Sequence, residues 1–430
     1  MLQWDPPEFR LEFKNALTSC IEKLGLRPDD IQADYFSPLD EDNNHSEDVD
    51  DFHYVVTPDE ACKVWLPYAD DDGYDITYGG LVDVLQEALS AELVDHVECW
   101  SKNRYLLRVT ADIESMAILD HYLRDSNTKA FETQNKIEND HITCSIVNGF
   151  TVFGLLITAK RKWGKHDLPV TFEEYFIQIE FPESVTRELI RDYAEAYTFE
   201  LSSTVNTHLT RFPRPELESD SDDEFWLLYN KQQIPNTNNL RPLLLGKGMV
   251  SLLRLYNQTL SIFNPDVAIL FFTKAIEYVT PTIVRRNLTE SVQNKLSTPR
   301  ALQPDADFVL ELAEVFQGNR ANQQDKKGMA LTIMQCCDAG DLRSVSPPFL
   351  TQLVNLPLQH SKQQRNDALT KFANALSATR NEIAHAKANY KPTGEECPED
   401  QMEQFVKLVN IAAQQVIRWF DRCPEDLRIV

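Results

Sequence analysis

Glycine is scarce in this chain, 13 of 430 residues, and no Gly-rich phosphate loop is among them. The nearest approach, Gly246-Lys247-Gly248-Met249, lacks the upstream glycine and the following Ser/Thr of a Walker loop, so P-loop and Rossmann nucleotide chemistry is not expected. The eight cysteines form no CxxC pair and no Cys/His spacing suited to zinc. They are expected as reduced core thiols, with the adjacent Cys336 and Cys337 open to the alternative of a redox-sensitive pair. His53, His96, His121, His141, His166 and His208 lack metal-ligand spacing, so neither metal nor cofactor is expected. No apolar run approaches the ~20 residues needed to span a bilayer, and the longest, such as Val152 to Ala159, have the length of a core strand. The opening MLQWDPPEFR has neither the basic start nor the apolar stretch of a signal peptide. The expectation is a cytoplasmic protein with no membrane partner.

What is present is an ordinary globular composition, 42% hydrophobic and 25% charged, in a chain long enough for two or three domains. The net charge of −25 is unevenly placed. Residues 1–224 carry 19 Lys/Arg against 47 Asp/Glu, whereas residues 225–430 carry 23 against 20. An acidic whole therefore does not exclude a nucleic-acid partner for the second half, which is close to neutral. The acidic run PELESDSDDE, Pro215 to Glu224, coincides with the change and predicts a linker between an acidic domain over 1–214 and a helical domain over 225–430. A second acidic run, Leu39 to Asp51, has the composition of a solvated loop.

Before the linker the pattern is α+β. A helix is expected over Phe13 to Leu24, a strand over Tyr105 to Thr110, a helix over Asp112 to Arg124, a strand over Tyr175 to Phe181 and a helix over Ser184 to Tyr197. Ile142 to Val147 and Phe150 to Thr158 flank Asn148-Gly149, which predicts a type I′ hairpin between two strands. After the linker, helical periodicity covers Met249 to Phe263, Asp266 to Val279, Thr282 to Leu296, Asp305 to Phe316, Lys327 to Cys337, Arg365 to Lys387 and Pro398 to Phe420, a bundle punctuated by prolines. Leu369, Phe372, Ala373, Leu376 and Ile383 mark the buried stripe of one helix, and Phe405, Leu408, Val409, Ala412, Val416, Trp419 and Phe420 that of its expected partner.

The chemistry concentrates in ATRNEIAHA, Ala378 to Ala386. Arg380, Asn381 and His385 supply a fixed cation, an amide and a group that titrates near neutral pH, a set suited to phosphodiester cleavage without a metal. Asn381 and His385, four apart, share a helix face, while Arg380 and His385, five apart, diverge by about 140° on a straight helix. The helix must end or distort there, or a second copy must complete the site. The bland alternative is a polar cluster that satisfies the end of a surface helix. An Arg-to-His spacing recurs at Arg161 to His166, but with Lys162, Trp163, Gly164 and Lys165 between them in a loop pattern.

With its late position in a helical bundle, the stretch resembles the Arg-x4-His signature of the HEPN family, helical domains many of which are ribonucleases in toxin, antiviral and RNA-processing systems. The resemblance covers about the last 200 residues. It implies a homodimer in which paired motifs meet along the motif-bearing helix, RNA as substrate, and catalysis by Arg380, Asn381 and His385. His385 would move protons at the 2′-hydroxyl or the leaving 5′-oxygen, Arg380 would hold the phosphate, and Asn381 would orient His385 or substrate. Glu277, a lone acid in the apolar run Ile269 to Val279, either faces the motif, as an acidic residue often does in such bundles, or lies solvated at the polar edge. Further RNA contacts are expected from Lys387 and Arg254, and from Lys160, Arg161 and Trp163, a basic and aromatic cluster in the acidic half. The acidic half would sense or regulate, with a protein or nucleotide activator. The rival expectation is a non-enzymatic adaptor or scaffold whose helical domain binds a protein.

Overall fold

The structure, a computed structural model, describes residues 2–25, 32–35, 54–65, 74–123, 129–137, 140–160, 175–211, 234–235, 239–262, 264–322, 325–384 and 392–430. Contacts divide the chain into two compact units, Met1–Pro242 and Leu243–Val430. The first is α+β and the second is built of helices. Both acidic runs, Leu39 to Asp51 and Pro215 to Glu224, lie outside the described residues.

The first unit is organised by a seven-stranded antiparallel sheet. It contains β6 (Glu92–Val94), β7 (Glu98–Trp100), β8 (Arg104–Ala111), β9 (Lys129–Ile137), β10 (Asp140–Asn148), β11 (Tyr175–Glu180) and β12 (Leu209–Arg211), in the order β6-β7-β8-β11-β10-β9 with β12 also on β8. Central strands β8 and β11 are buried at nearly every position, the mark of a sheet covered on both faces. Leu106, Val147 and Phe176 face a cluster that includes Leu81 and Leu85 of α2 (Tyr78–Ala88) and Phe153 of α4 (Val152–Lys160). Packed against the same cluster are α1 (Pro7–Leu24) and strands β1 (Leu2–Trp4), β3 (Tyr54–Val56), β4 (Ala61–Trp65) and β5 (Tyr74–Thr77). The short β2 (Gln32–Tyr35) pairs with β4. On β10 and β11, α5 (Arg187–Val205) packs, and its buried Tyr197 donates to the Phe131 carbonyl at 3.0 Å. The helix α3 (Ile113–Tyr122) is started by Asp112, whose carboxylate accepts from the Ser115 N–H at 2.8 Å.

The expected hairpin across Asn148-Gly149 is corrected. Gly149 does take a positive φ of 85°, but the chain passes from β10 into α4, so Phe150 to Thr158 is not a strand. The hairpin partner of β10 is β9. Every described position from Phe150 to Ile157 is buried, so no amphipathic period distinguishes helix from strand there.

Glu98 is the charged anchor of the sheet's outer side. It is 8% exposed and accepts hydrogen bonds from Arg191 Nη2 at 2.7 Å and Trp100 Nε1 at 3.1 Å. Burial pushes this carboxyl up, but the hydrogen bonds from Arg191 and Trp100 and the Arg191 charge outweigh burial and hold it below the ordinary glutamate value. A lowered folded-state pKa means that the contribution is present above the unfolded value and is lost as pH falls through the folded one. Glu98→Gln is therefore expected to lower the melting temperature at pH 7 and to converge with wild type in acid, as measured by thermal melts from pH 7 to pH 3.

The second unit contains α6 (Met249–Thr259), α7 (Pro265–Leu296), α8 (Ala306–Asn322), α9 (Asp325–Cys336), α10 (Ala339–Val345), α11 (Thr351–Val354), α12 (Lys362–Ala384) and α13 (Met402–Arg422). Where two helices were expected, Asp266 to Val279 and Thr282 to Leu296, one continuous α7 of 32 residues runs through Pro281. The proline leaves the Glu277 carbonyl without its i+4 donor. Exposure makes this tolerable, because the proline ring lies on the solvent side. By length and composition α7 is long and apolar enough to cross a membrane, yet more than half of its most apolar window is buried inside the unit, against α13, α9 and α6. It serves as a core helix.

Two further expectations change. The helix α12 packs chiefly on α9 and then α7. The last helix, α13, is not its main partner: it lies chiefly along α7, and Phe372 meets its Phe405 with ring centroids 6.1 Å apart. Leu369, Phe372, Ala373 and Leu376 are buried, whereas Ile383 is half-buried. Gly246 and Gly248, at φ 102° and 80°, receive the end of the sequence: a Cβ on Gly248 would come within 2.7 Å of Val430. Burial raises the Cys336 and Cys337 thiols well above the ordinary cysteine value, which keeps them protonated and argues against the redox alternative.

Candidate functional site

Arg380 and Asn381 stand in the last described turn of α12, just after Thr379, which is fully buried. Thr379 Oγ1 accepts from the Cys397 N–H at 2.8 Å and so pins the segment 393–397 to the end of the helix. In that segment Glu396 accepts from the Thr393 and Gly394 N–H groups at 2.7 and 2.8 Å, a closed turn beside the motif. His385 and Lys387 lie outside the described residues, as do Arg161 and Trp163.

Across from α12, α7 presents Glu277. Its Oε1 is 3.5 Å from Arg380 Nη2, while Arg380 Nη1 donates to Asn381 Oδ1 at 2.9 Å. The guanidinium therefore bridges a carboxylate on α7 and the amide of the next residue on its own helix. A long side chain achieves what Cβ directions alone would not, since Arg380 curls back toward the Asn381 side. Both ends of the pair remain accessible, with side-chain exposures of 30% for Arg380 and 35% for Glu277. An anion that reaches Arg380 meets a cation already oriented by two partners.

The surroundings carry more acid than the motif alone suggests. Burial raises the Glu382 carboxyl above the ordinary glutamate value, and the charges of Glu396 and Asp266 raise it further. Asp266 belongs to the first turn of α7 and Glu396 to the closed turn. Neither is recognisable from sequence spacing, because they are 116 and 14 residues away from Glu382. A raised folded-state pKa penalises the ionised form, so stability is lost as pH rises through that value. Glu382→Gln is expected to raise the melting temperature at pH 7.5, with the difference from wild type shrinking as pH is lowered into the acid range.

Arg254 is an exposed residue of α6, and Lys160 is the last residue of α4 in the first unit. Among the described residues no group of three or more His, Cys, Asp or Glu side chains is arranged to hold a metal ion. No family model, curated protein or solved structure matches this chain.

Proposed function

We propose that the chain is a metal-independent endoribonuclease of HEPN type, acting in a defence, toxin or stress-response setting in the cytoplasm, with the first unit sensing or regulating. The observation that supports this best is the orientation of Arg380 by Glu277 and Asn381 at the end of α12, five residues before His385, in an all-helical unit. In this reading Arg380 holds the scissile phosphate and stabilises the charge gained in the transition state. His385 takes the 2′-hydroxyl proton or returns one to the leaving 5′-oxygen, as an imidazole can near neutral pH. Asn381 and Glu277 position these groups. Attack of the 2′-oxygen on phosphorus breaks the P–O5′ bond and leaves a 2′,3′-cyclic phosphate and a 5′-hydroxyl, with the proton balance closed by His385. A second copy, apposed along α12, supplies the other half of the site. Lys387 and Arg254 add phosphate contacts, and Lys160, Arg161 and Trp163 offer a second RNA or nucleotide contact in the first unit.

A second reading, a non-enzymatic adaptor, is favoured by one specific observation. Glu277 pairs with Arg380, and Glu396 and Asp266 crowd the nearby Glu382, so this helix end is rich in carboxylate, which suits a basic protein segment better than a polyanion. The test is incubation of folded wild type and His385→Ala with mixed RNA in excess chelator, with and without candidate activators. Chelator-resistant cleavage lost in the variant supports the nuclease. Absence of cleavage from folded wild type under every condition favours the adaptor.

A further inference from the structure

The seven-stranded sheet ends differently on its two sides. One end is β6, three residues long; the other is β9, nine residues with neither proline nor glycine. Among the described residues β9 pairs with β10 alone, so its other side is an open edge. Native sheets usually shorten, cover or break such an edge. A bulge does interrupt this one near its start: Phe131 takes a φ of 54°, and the pairing with β10 shifts between Cys144 and Ile146. From Thr133 to Ile137 the pairing is regular, and no residue from Glu132 to Ile137 is buried.

The ladder fixes which backbone groups this edge offers. Ile137 and Asp140 are paired although close in sequence, a spacing at which the two residues exchange both of their N–H···O=C bonds. Bonded and non-bonded pairs alternate, so Asn135 and Thr133 also turn their backbone groups to β10, opposite Ile142 and Cys144. Gln134 and Lys136 therefore direct N–H and C=O away from β10, into the open edge. Their side chains and that of Glu132 are exposed, while the alternate Thr133, Asn135 and Ile137 are half-buried.

The charges along the edge complement their own reverse. A second β9, antiparallel and centred on Gln134, sets Gln134 against its own counterpart, Glu132 against Lys136 of the second copy, and Lys136 against Glu132 of the second copy. Registers centred on Glu132 or on Lys136 would instead set like charges against each other. Opposite charges at facing positions stabilise a sheet and like charges destabilise it, so the edge selects one register of itself.

We propose that β9 is a dimerisation edge, which pairs antiparallel with β9 of a second copy about a two-fold axis at Gln134 and joins two seven-stranded sheets into one. A closed two-fold contact also removes the edge from further pairing. The contact lies in the first unit and stands independently of the ribonuclease reading and of any contact along α12.

The test is a disulfide across the axis. Gln134→Cys in the full chain brings two thiols to facing positions with a Cα separation of about 5.5 Å, within reach of a disulfide. Seven of the native cysteines are buried and Cys336 is half-buried, which keeps the background low. On mild oxidation with diamide, Gln134→Cys is expected to give a covalent dimer on non-reducing gels, while wild type and Glu22→Cys, exposed on α1, do not. Because the contact is symmetric, adding Glu132→Lys makes both ion pairs repulsive and is expected to cut dimer formation about tenfold, as is Lys136→Glu. Mixing the two charge variants, each carrying Gln134→Cys, should restore it, since each then meets the opposite charge on the other. Both positions are exposed, and circular dichroism checks that the fold is retained. No dimer from Gln134→Cys above the Glu22→Cys control overturns the proposal. So does a dimer indifferent to both charge reversals, or a mixture no better than its components, the results expected of chance encounters or of an edge that receives a strand from another protein.

Discussion

Arg380→Ala is expected to lower RNA cleavage about 10²–10³-fold, the usual cost of removing one donor from a preorganised anion site. Arg380→Lys should recover little of it. An ammonium is a point charge, and it cannot donate to Asn381 and face Glu277 while still presenting a fork to a phosphate. The accompanying stability loss should be small, below about 1 kcal/mol, because the Arg380–Glu277 pair is partly exposed and solvent screens it. The two effects separate the roles: a catalytic arginine loses rate with its melting curve nearly intact, whereas a helix-end arginine loses neither strongly. Single-turnover cleavage and thermal melts of the same preparations measure both.

The largest expected loss of stability belongs to Arg428→Ala, about 3 kcal/mol or more. Arg428 is 5% exposed, and its guanidinium donates to three backbone carbonyls, Cys423 at 2.8 Å, Lys247 at 3.1 Å and Asp421. It also lies 5.3 Å from the centre of the Phe420 ring. These bonds tie the last residues of the sequence to the start of α6, while the Ile429 N–H donates to buried Thr282 on α7 at 2.9 Å. Truncation to alanine strands the carbonyls and opens a void beside Gly246. Arg428→Lys should recover less than half, since one ammonium cannot satisfy three divergent acceptors. Trp419 is the one tryptophan in the second unit, so urea unfolding of a variant chain with the other five tryptophans replaced by phenylalanine reports this unit alone. A midpoint unchanged by Arg428→Ala would contradict the role.

The parts of this fold that are legible in the sequence are those with one strong local signal. The stripe Phe405, Leu408, Val409, Ala412 and Val416 announces α13, because a two-sided helix must repeat its apolar residues every three to four positions. Val152 to Ile157 carries no such signal: buried at every position, it satisfies a strand and a helix equally, and only its tertiary surroundings select α4. Pro281 misleads for a related reason. Its missing N–H favours a helix start, but packing along α13 and α9 holds α7 continuous through it.

At the candidate site, Arg380 and Asn381 stand out by residue type, and Glu277 as a lone acid in an apolar helix. What sequence does not carry is distance. The 3.5 Å approach of Glu277 to Arg380 spans 103 positions, and the carboxylates that crowd Glu382 arrive from a helix start and a turn. The edge position of β9 is less legible still, since strand order is set by pairings between distant segments.

The most direct measurement of the central claim is the chemistry of the RNA ends left by purified wild type in excess chelator. The ribonuclease account expects 2′,3′-cyclic phosphate and 5′-hydroxyl termini, formed by wild type and absent with Arg380→Ala and His385→Ala. Termini bearing 3′-hydroxyl and 5′-phosphate, or cyclic termini that persist in both variants, would contradict it.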